Sequence, residues 1–185
     1  MATSAKASYQ KLTALTWNIE GVKRNMFMLA EILNSRSCSL VFLSEPQAYQ
    51  CDLNHITQYI AHKYCYMLNY EDNYEPELPL HQSKAKGGTM VLWQKWLDPY
   101  VKVVAVTTTA FLPIVLSIPG SQPTVHVALY LPTHGQDTEF VSELASLRNC
   151  LDELNSVYDY PRIYIRGDAN VNNKNVNRVN ILKAL

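Results

Sequence analysis

Five polar side chains stand where apolar runs of this sequence stop: Asn18 after "LTALTW", Glu45 after "SLVFLS", Tyr130 in "TVHVALYLP", and Asp168 and Asn170 around the end of "RIYIRGD". In α/β proteins chemistry collects at strand ends, because rigid backbone there presents side chains to a crevice. Two carboxylates, two carboxamides and a phenol make a hard, oxygen-rich set that suits Mg2+ or Mn2+, which keep several waters and take one or two carboxylates besides substrate phosphate. Such a cation neutralises a phosphodiester and eases departure of the leaving oxygen, while a nearby carboxylate orients or deprotonates the attacking water. The five histidines lack the close pairing that zinc sites use. Each residue also has a plainer reading: Asn18 as turn chemistry before Gly21, Glu45 as a helix cap, Tyr130 as amphipathic core, Gly167-Asp168 as a simple turn. Singly, the plainer readings lead. Five such residues at four strand ends are harder to set aside, although spacing alone names no reaction.

The elements that must position them follow from periodicity. "LTALTWN" (12–18) reads as a buried strand; Val22, Met26, Leu29, Ala30 and Leu33 then recur at helical spacing; "SLVFLSEPQ" (39–47) is a second strand, ended by Pro46. Strand–helix–strand predicts a parallel pair. A weaker helix is expected over 52–62, a strand at "YCYMLNY" and a loop over 71–86, followed by a strand at "GGTMVLWQ". "VKVVAVTTT", "PIVLSIP" and "TVHVALYLP" predict an antiparallel meander. Phe140, Leu144, Leu147, Leu151 and Leu154 mark the best helix, with Asp137 or Thr138 as its cap. "RIYIRGD" is a last short strand, and "VNRVNILKAL" the start of a helix. The class is α/β, with mixed sheets and helices on their outer faces.

With 185 residues, 48% hydrophobic and 17% charged, the chain is long enough for one domain with a sizeable core. Lys+Arg and Asp+Glu are both 16, so no bulk basic field announces nucleic acid. Cys38, Cys51, Cys65 and Cys150 show no C-x-x-C spacing and read as buried free thiols. The first eleven residues read as a flexible leader without the apolar core of a signal peptide, and no run approaches a membrane span. A nuclear or cytoplasmic protein without membrane contact is expected.

The pieces "LTWNIEG", "LVFLSEPQ", "GGTMVLW", "ALYLP" and "YIRGDANVN", in this order, resemble the endonuclease/exonuclease/phosphatase superfamily, and within it the apurinic-like endonuclease domain of non-LTR (LINE-type) retrotransposons. The resemblance covers about residues 12–180. It implies a DNase I-like, four-layer α/β sandwich of two mixed sheets, and a Mg2+- or Mn2+-dependent hydrolase that nicks DNA. It also implies roles: Asn18 supports the metal and active-site network, Glu45 binds the metal, Tyr130 hydrogen-bonds the scissile phosphate, Asp168 positions the attacking water and Asn170 contacts the phosphate. Glu20 has no counterpart, and a surface role is expected for it. Arg166-Gly167-Asp168 is then a strand end, and integrin binding through it is not expected.

The family pattern continues past G-D-x-N to a terminal Ser-Asp-His, whereas His55, His62, His81, His126 and His134 all precede Asp168. The expected domain, 12–185, therefore lacks its last strands, with an exposed edge, and is either a fragment of a longer protein or a weak or inactive relative. Two other readings stand beside the nuclease. One is an RNA, inositol-phosphate or lipid phosphodiesterase of the same superfamily. The other is a relic that binds nucleic acid without cutting it. Lys84, Lys86, Lys95, Lys174 and Arg178 are candidate phosphate contacts flanking the crevice, or a merely solvated face.

Overall fold

The computed structural model of the chain describes residues 11–49, 52–70, 87–171 and 176–183. The expected βαβ unit forms first: β1 (Ala14–Asn18) and β2 (Leu40–Ser44) pair in parallel around α1 (Val22–Ser35), which buries Val22, Met26, Leu29 and Leu33. α2 (Leu53–Ile60) and β3 (Tyr64–Asn69) follow, then β4 (Thr89–Gln94), which slots between β2 and β3 antiparallel to both. The sequence accounts for that placement. β4 has five buried residues out of six, as a strand flanked on both sides needs, whereas β3 buries only Tyr64 and Leu68 and takes the edge.

The second sheet is the expected meander, β5 (Val101–Val103), β6 (Phe111–Leu116) and β7 (Thr124–Tyr130), closed by β8 (Arg162–Asp168) parallel to β7. Between β7 and β8 runs α3 (Asp137–Tyr158), and α4 (Val176–Lys183) follows β8. Two mixed four-stranded sheets thus face each other, ordered β1-β2-β4-β3 and β5-β6-β7-β8. Three apolar layers hold them. Met26, Leu29, Ile56 and Ile60 pack with Val41 and Leu43 on the outside of the first sheet; Phe42, Val91, Leu112 and Ile114 fill the space between the sheets; Phe140, Leu147 and Leu151 pack with Val125 and Val127 on the outside of the second. This is the four-layer α/β sandwich.

Several expectations change. The strand expected over 101–109 is regular only to Val103. Neither Asp137 nor Thr138 caps α3: Gln136 is the cap residue without a side-chain bond, and the Asp137 carboxylate is instead taken by Arg178. Of the described cysteines, all free, Cys38 is buried while Cys65 and Cys150 are half-buried. The leader, the 71–86 loop, Cys51, Lys84, Lys86 and Lys174 lie outside the described residues. No helix among the described residues is long and apolar enough to cross a membrane.

β1 and β8 are edge strands of the two sheets and lie against each other. Among the described residues no strand pairs with the outer side of either one. Tyr164 and Ile165 of β8 are 38% and 40% exposed there. The two rims meet at Asn18 and Asp168.

Candidate active site

Asn18 ends β1, Glu45 follows β2, Tyr130 ends β7, and Asp168 ends β8 with Asn170 two residues on. Because β1 and β2 run parallel, Asn18 and Ser44 are register partners, and so are Tyr130 and Asp168 across β7 and β8. All five predicted residues therefore gather at one end of the sandwich. The Asn18 carboxamide nitrogen donates to Glu45 Oε1 at 3.0 Å and to Asp168 Oδ2 at 3.1 Å. One side chain thus ties a carboxylate of the first sheet to a carboxylate of the second. Their accepting oxygens lie no further apart than those two bonds laid end to end.

The backbone around each acid is specialised. Glu45 and Asn170 both adopt left-handed conformations, with φ of 53° and 49°. Asn tolerates this, but for Glu it is strain of the kind kept at functional sites. The turn after β2 is fastened from two directions. Glu45 N–H donates to the Gly88 carbonyl at 3.2 Å, while the Glu45 and Pro46 carbonyls accept from Gly21 and Val22 N–H at 2.8 Å each. The glycine before it is also required: Gly87 has φ +59°, and a Cβ there would sit 2.9 Å from a ring carbon of Tyr130.

Asp168 is oriented on both oxygens, since Asn170 N–H donates to Oδ1 at 2.8 Å. The Asn170 carboxamide donates to the Leu131 carbonyl at 2.7 Å. Burial pushes the Tyr130 phenol up to about 12, helped by the negative charge and hydrogen bonding of Glu45 and by the charge of Asp168. Tyr130 is therefore a protonated donor at any ordinary pH. Glu20, by contrast, is exposed on the turn beyond Asn18.

Among the described residues no three His, Cys, Asp or Glu side chains gather into a metal-binding group. Two like-charged carboxylates held close by a single amide do fit a hard cation that keeps most of its waters and takes one or two acid ligands. Glu45, fixed by Asn18, would hold it, with Asp168 close beside.

The flanking cations do not behave as expected. Arg178 is only 3% exposed: its guanidinium donates to the Pro132, Thr133 and Asn170 carbonyls, pairs with Asp137 and lies 4.3 Å over the Phe140 ring. It is a staple, because three carbonyls and a carboxylate converge on its buried guanidinium, and it is not placed to touch phosphate. Lys95 is exposed but follows the far end of β4, opposite the Glu45 end. Arg166 also points inward. It hydrogen-bonds His126 Nδ1 at 2.8 Å and stacks 5.0 Å from both Phe42 and Tyr164, so Arg166-Gly167-Asp168 is strand and not a loop apex. Gln47, which sequence reasoning passed over, donates to Glu45 Oε2 at 3.2 Å.

No protein-family model matches the sequence, and no curated protein matches it significantly. Solved structures do match. The AP endonuclease LMAP of Leishmania major superposes with a TM-score of 0.64 at 17% identity over 85% of this chain and 54% of its own. The endonuclease domain of TRAS1, a telomere-specific non-LTR retrotransposon, gives 0.65 at 12% identity over 94% and 70%. The Xenopus laevis APE2 catalytic domain gives 0.64 at 13% over 85% and 58%. The chain thus spans about half to seven-tenths of the length of these structures. Its two mixed four-stranded sheets and helical outer layers share the DNase I-like fold of these structures.

Proposed function

We propose that the cluster at the end of the sandwich is a metal-dependent phosphodiesterase centre that cuts DNA. The observation that carries this reading is the single Asn18 nitrogen shared by Glu45 and Asp168. It holds two acids from opposite sheets where one cation and one water could be served together. When bound, a divalent cation supplies charge neutralisation at the phosphate and at the leaving oxygen.

The chain's own residues account for the rest. Asp168, fixed on one oxygen by Asn18 and on the other by the Asn170 N–H, orients the attacking water and accepts its proton. Tyr130, kept protonated, donates to a non-bridging phosphate oxygen as charge builds there. Asn170, held by the Leu131 carbonyl, presents its remaining amide group to the same phosphate. Glu45 is the principal cation ligand. DNA is the preferred substrate because the superposed proteins include AP endonucleases and a retrotransposon endonuclease domain, and the likeness to that domain supports a retrotransposon-type nicking role.

The test is relaxation of supercoiled plasmid by this chain in Mg2+, beside Glu45→Ala and Asp168→Ala. The expected result is nicking that EDTA stops and that each substitution lowers roughly a thousandfold. A chain shown to be folded that leaves the plasmid intact in Mg2+ and Mn2+ would overturn the reading.

A further inference from the structure

Glu45 has two carboxylate oxygens, and each one is already held. Asn18 takes Oε1 at 3.0 Å and Gln47 takes Oε2 at 3.2 Å. The second hold is reached through unusual backbone. Gln47 has φ 46°, left-handed like Glu45 two residues earlier, with buried Pro46 between them. A left-handed residue other than Gly is strained. Two within three residues are tolerated only where the surroundings fix them. Here they do: Gln47 N–H donates to the Gly87 carbonyl at 3.4 Å, and its side-chain Oε1 lies against Gly21, where a Cβ would come within 3.5 Å. A carboxylate only accepts, so the amide nitrogen must face Glu45 and the amide oxygen the Gly21 turn. The result is a side chain held in one orientation whose only charged hydrogen-bond partner among the described residues is the proposed cation ligand.

We propose that Gln47 is a positioning residue, resting on the metal-centre reading above: it fixes the second oxygen of Glu45, so that the lone pairs left to a divalent cation point to one place. Without it Glu45 keeps only its Asn18 and Tyr130 contacts and offers the cation a carboxylate of less defined orientation. Partners that orient a metal ligand in this way typically carry about 10–100-fold in metal affinity.

The experiment is a Mn2+ titration of the whole chain followed by electron paramagnetic resonance, comparing wild type with Gln47→Leu, Gln47→Met and Glu45→Gln. The titration yields the number of sites and their Kd separately. A partly unfolded preparation loses sites, whereas lost positioning weakens the sites that remain. The expected outcome is one site in wild type, a Kd raised about 10-fold or more in both Gln47 variants at unchanged stoichiometry, and no site in Glu45→Gln. Wild-type affinity in both Gln47 variants, with Glu45→Gln inactive in binding, would overturn this proposal alone. No Mn2+ site in wild type, or an undiminished one in Glu45→Gln, would overturn the metal-centre reading and this proposal with it.

Discussion

Asn18 donates from one nitrogen to two carboxylates, so at the residue scale the centre is arranged for charge that it does not itself balance. Among the described residues, the nearby Arg178 and Arg166 are turned to other partners: Arg178 to backbone carbonyls and Asp137, Arg166 to His126 and two rings. Close like charges without a counter-ion destabilise the folded state, and sites built this way trade stability for function. Neutralising one acid, by Glu45→Gln or Asp168→Asn, is therefore expected to raise the thermal midpoint in EDTA by a few degrees, on the order of 1 kcal/mol, while abolishing nicking. Added Mg2+ should stabilise wild type by binding the folded state, and should stabilise Glu45→Gln far less. Differential scanning fluorimetry with and without Mg2+ checks both. A variant that melts below wild type in EDTA would contradict the charge argument. The five residues of the candidate site were legible because they stand where apolar runs stop, but Gln47 was not. Its contact depends on two left-handed residues, and nothing in "SEPQA" announces that backbone.

At the element scale the strands decide where the acids sit, and β8 is held unusually close to β7. Gly167 has φ +141°, and a Cβ built on it would overlap the Leu129 carbonyl of β7. No other residue type satisfies both the conformation and the approach. Gly167→Ala must push β8 away from β7 or twist it, one residue before Asp168. The expected cost is about 3 kcal/mol or more in urea unfolding, with nicking lost even below the midpoint, because the Asn18–Asp168 bond spans the displaced strand. Unchanged stability would mean that the strand is free to shift. The helix–strand alternation and the meander were readable from period and punctuation. The insertion of β4 between β2 and β3 was harder, since pairing partners are set by the whole sheet; only the unbroken apolar run of "TMVLW" hints at a central strand. Arg178 was misread for a related reason. Periodicity treats a charge on a helix as surface, and only the assembled carbonyls of Pro132, Thr133 and Asn170 explain its burial.

On the scale of the whole molecule, the centre exists only if the two sheets are locked in one relative position. Ser44 Oγ donates to the Leu129 carbonyl at 3.0 Å across the interior, and the Asn69 carboxamide donates to the Thr108 and Phe111 carbonyls at 2.7 and 2.9 Å. His126 is part of the same lock, stacked between Phe42 of the first sheet and Tyr164 of the second, its Nδ1 accepting from Arg166. Burial, with the Arg166 charge beside it, lowers its pKa to about 4. The folded state therefore keeps His126 neutral while the unfolded chain protonates it near 6.5. Stability from this group is complete above about pH 6.5 and is lost progressively down to about pH 4, for a total of about 3 kcal/mol. Urea midpoints measured across that window should show the slope in wild type and a shallower one in His126→Gln; equal slopes would contradict the assignment. The claim that everything else serves is that Glu45 and Asp168, one from each sheet, act as a single hydrolytic unit. The measurement that reaches it most directly is the Mg2+-dependent nicking rate of wild type, Glu45→Ala, Asp168→Ala and the double variant. Residues acting as one unit give a double variant about as slow as the slower single one. Losses that multiply, or a wild-type rate no faster than the double variant, would contradict the account.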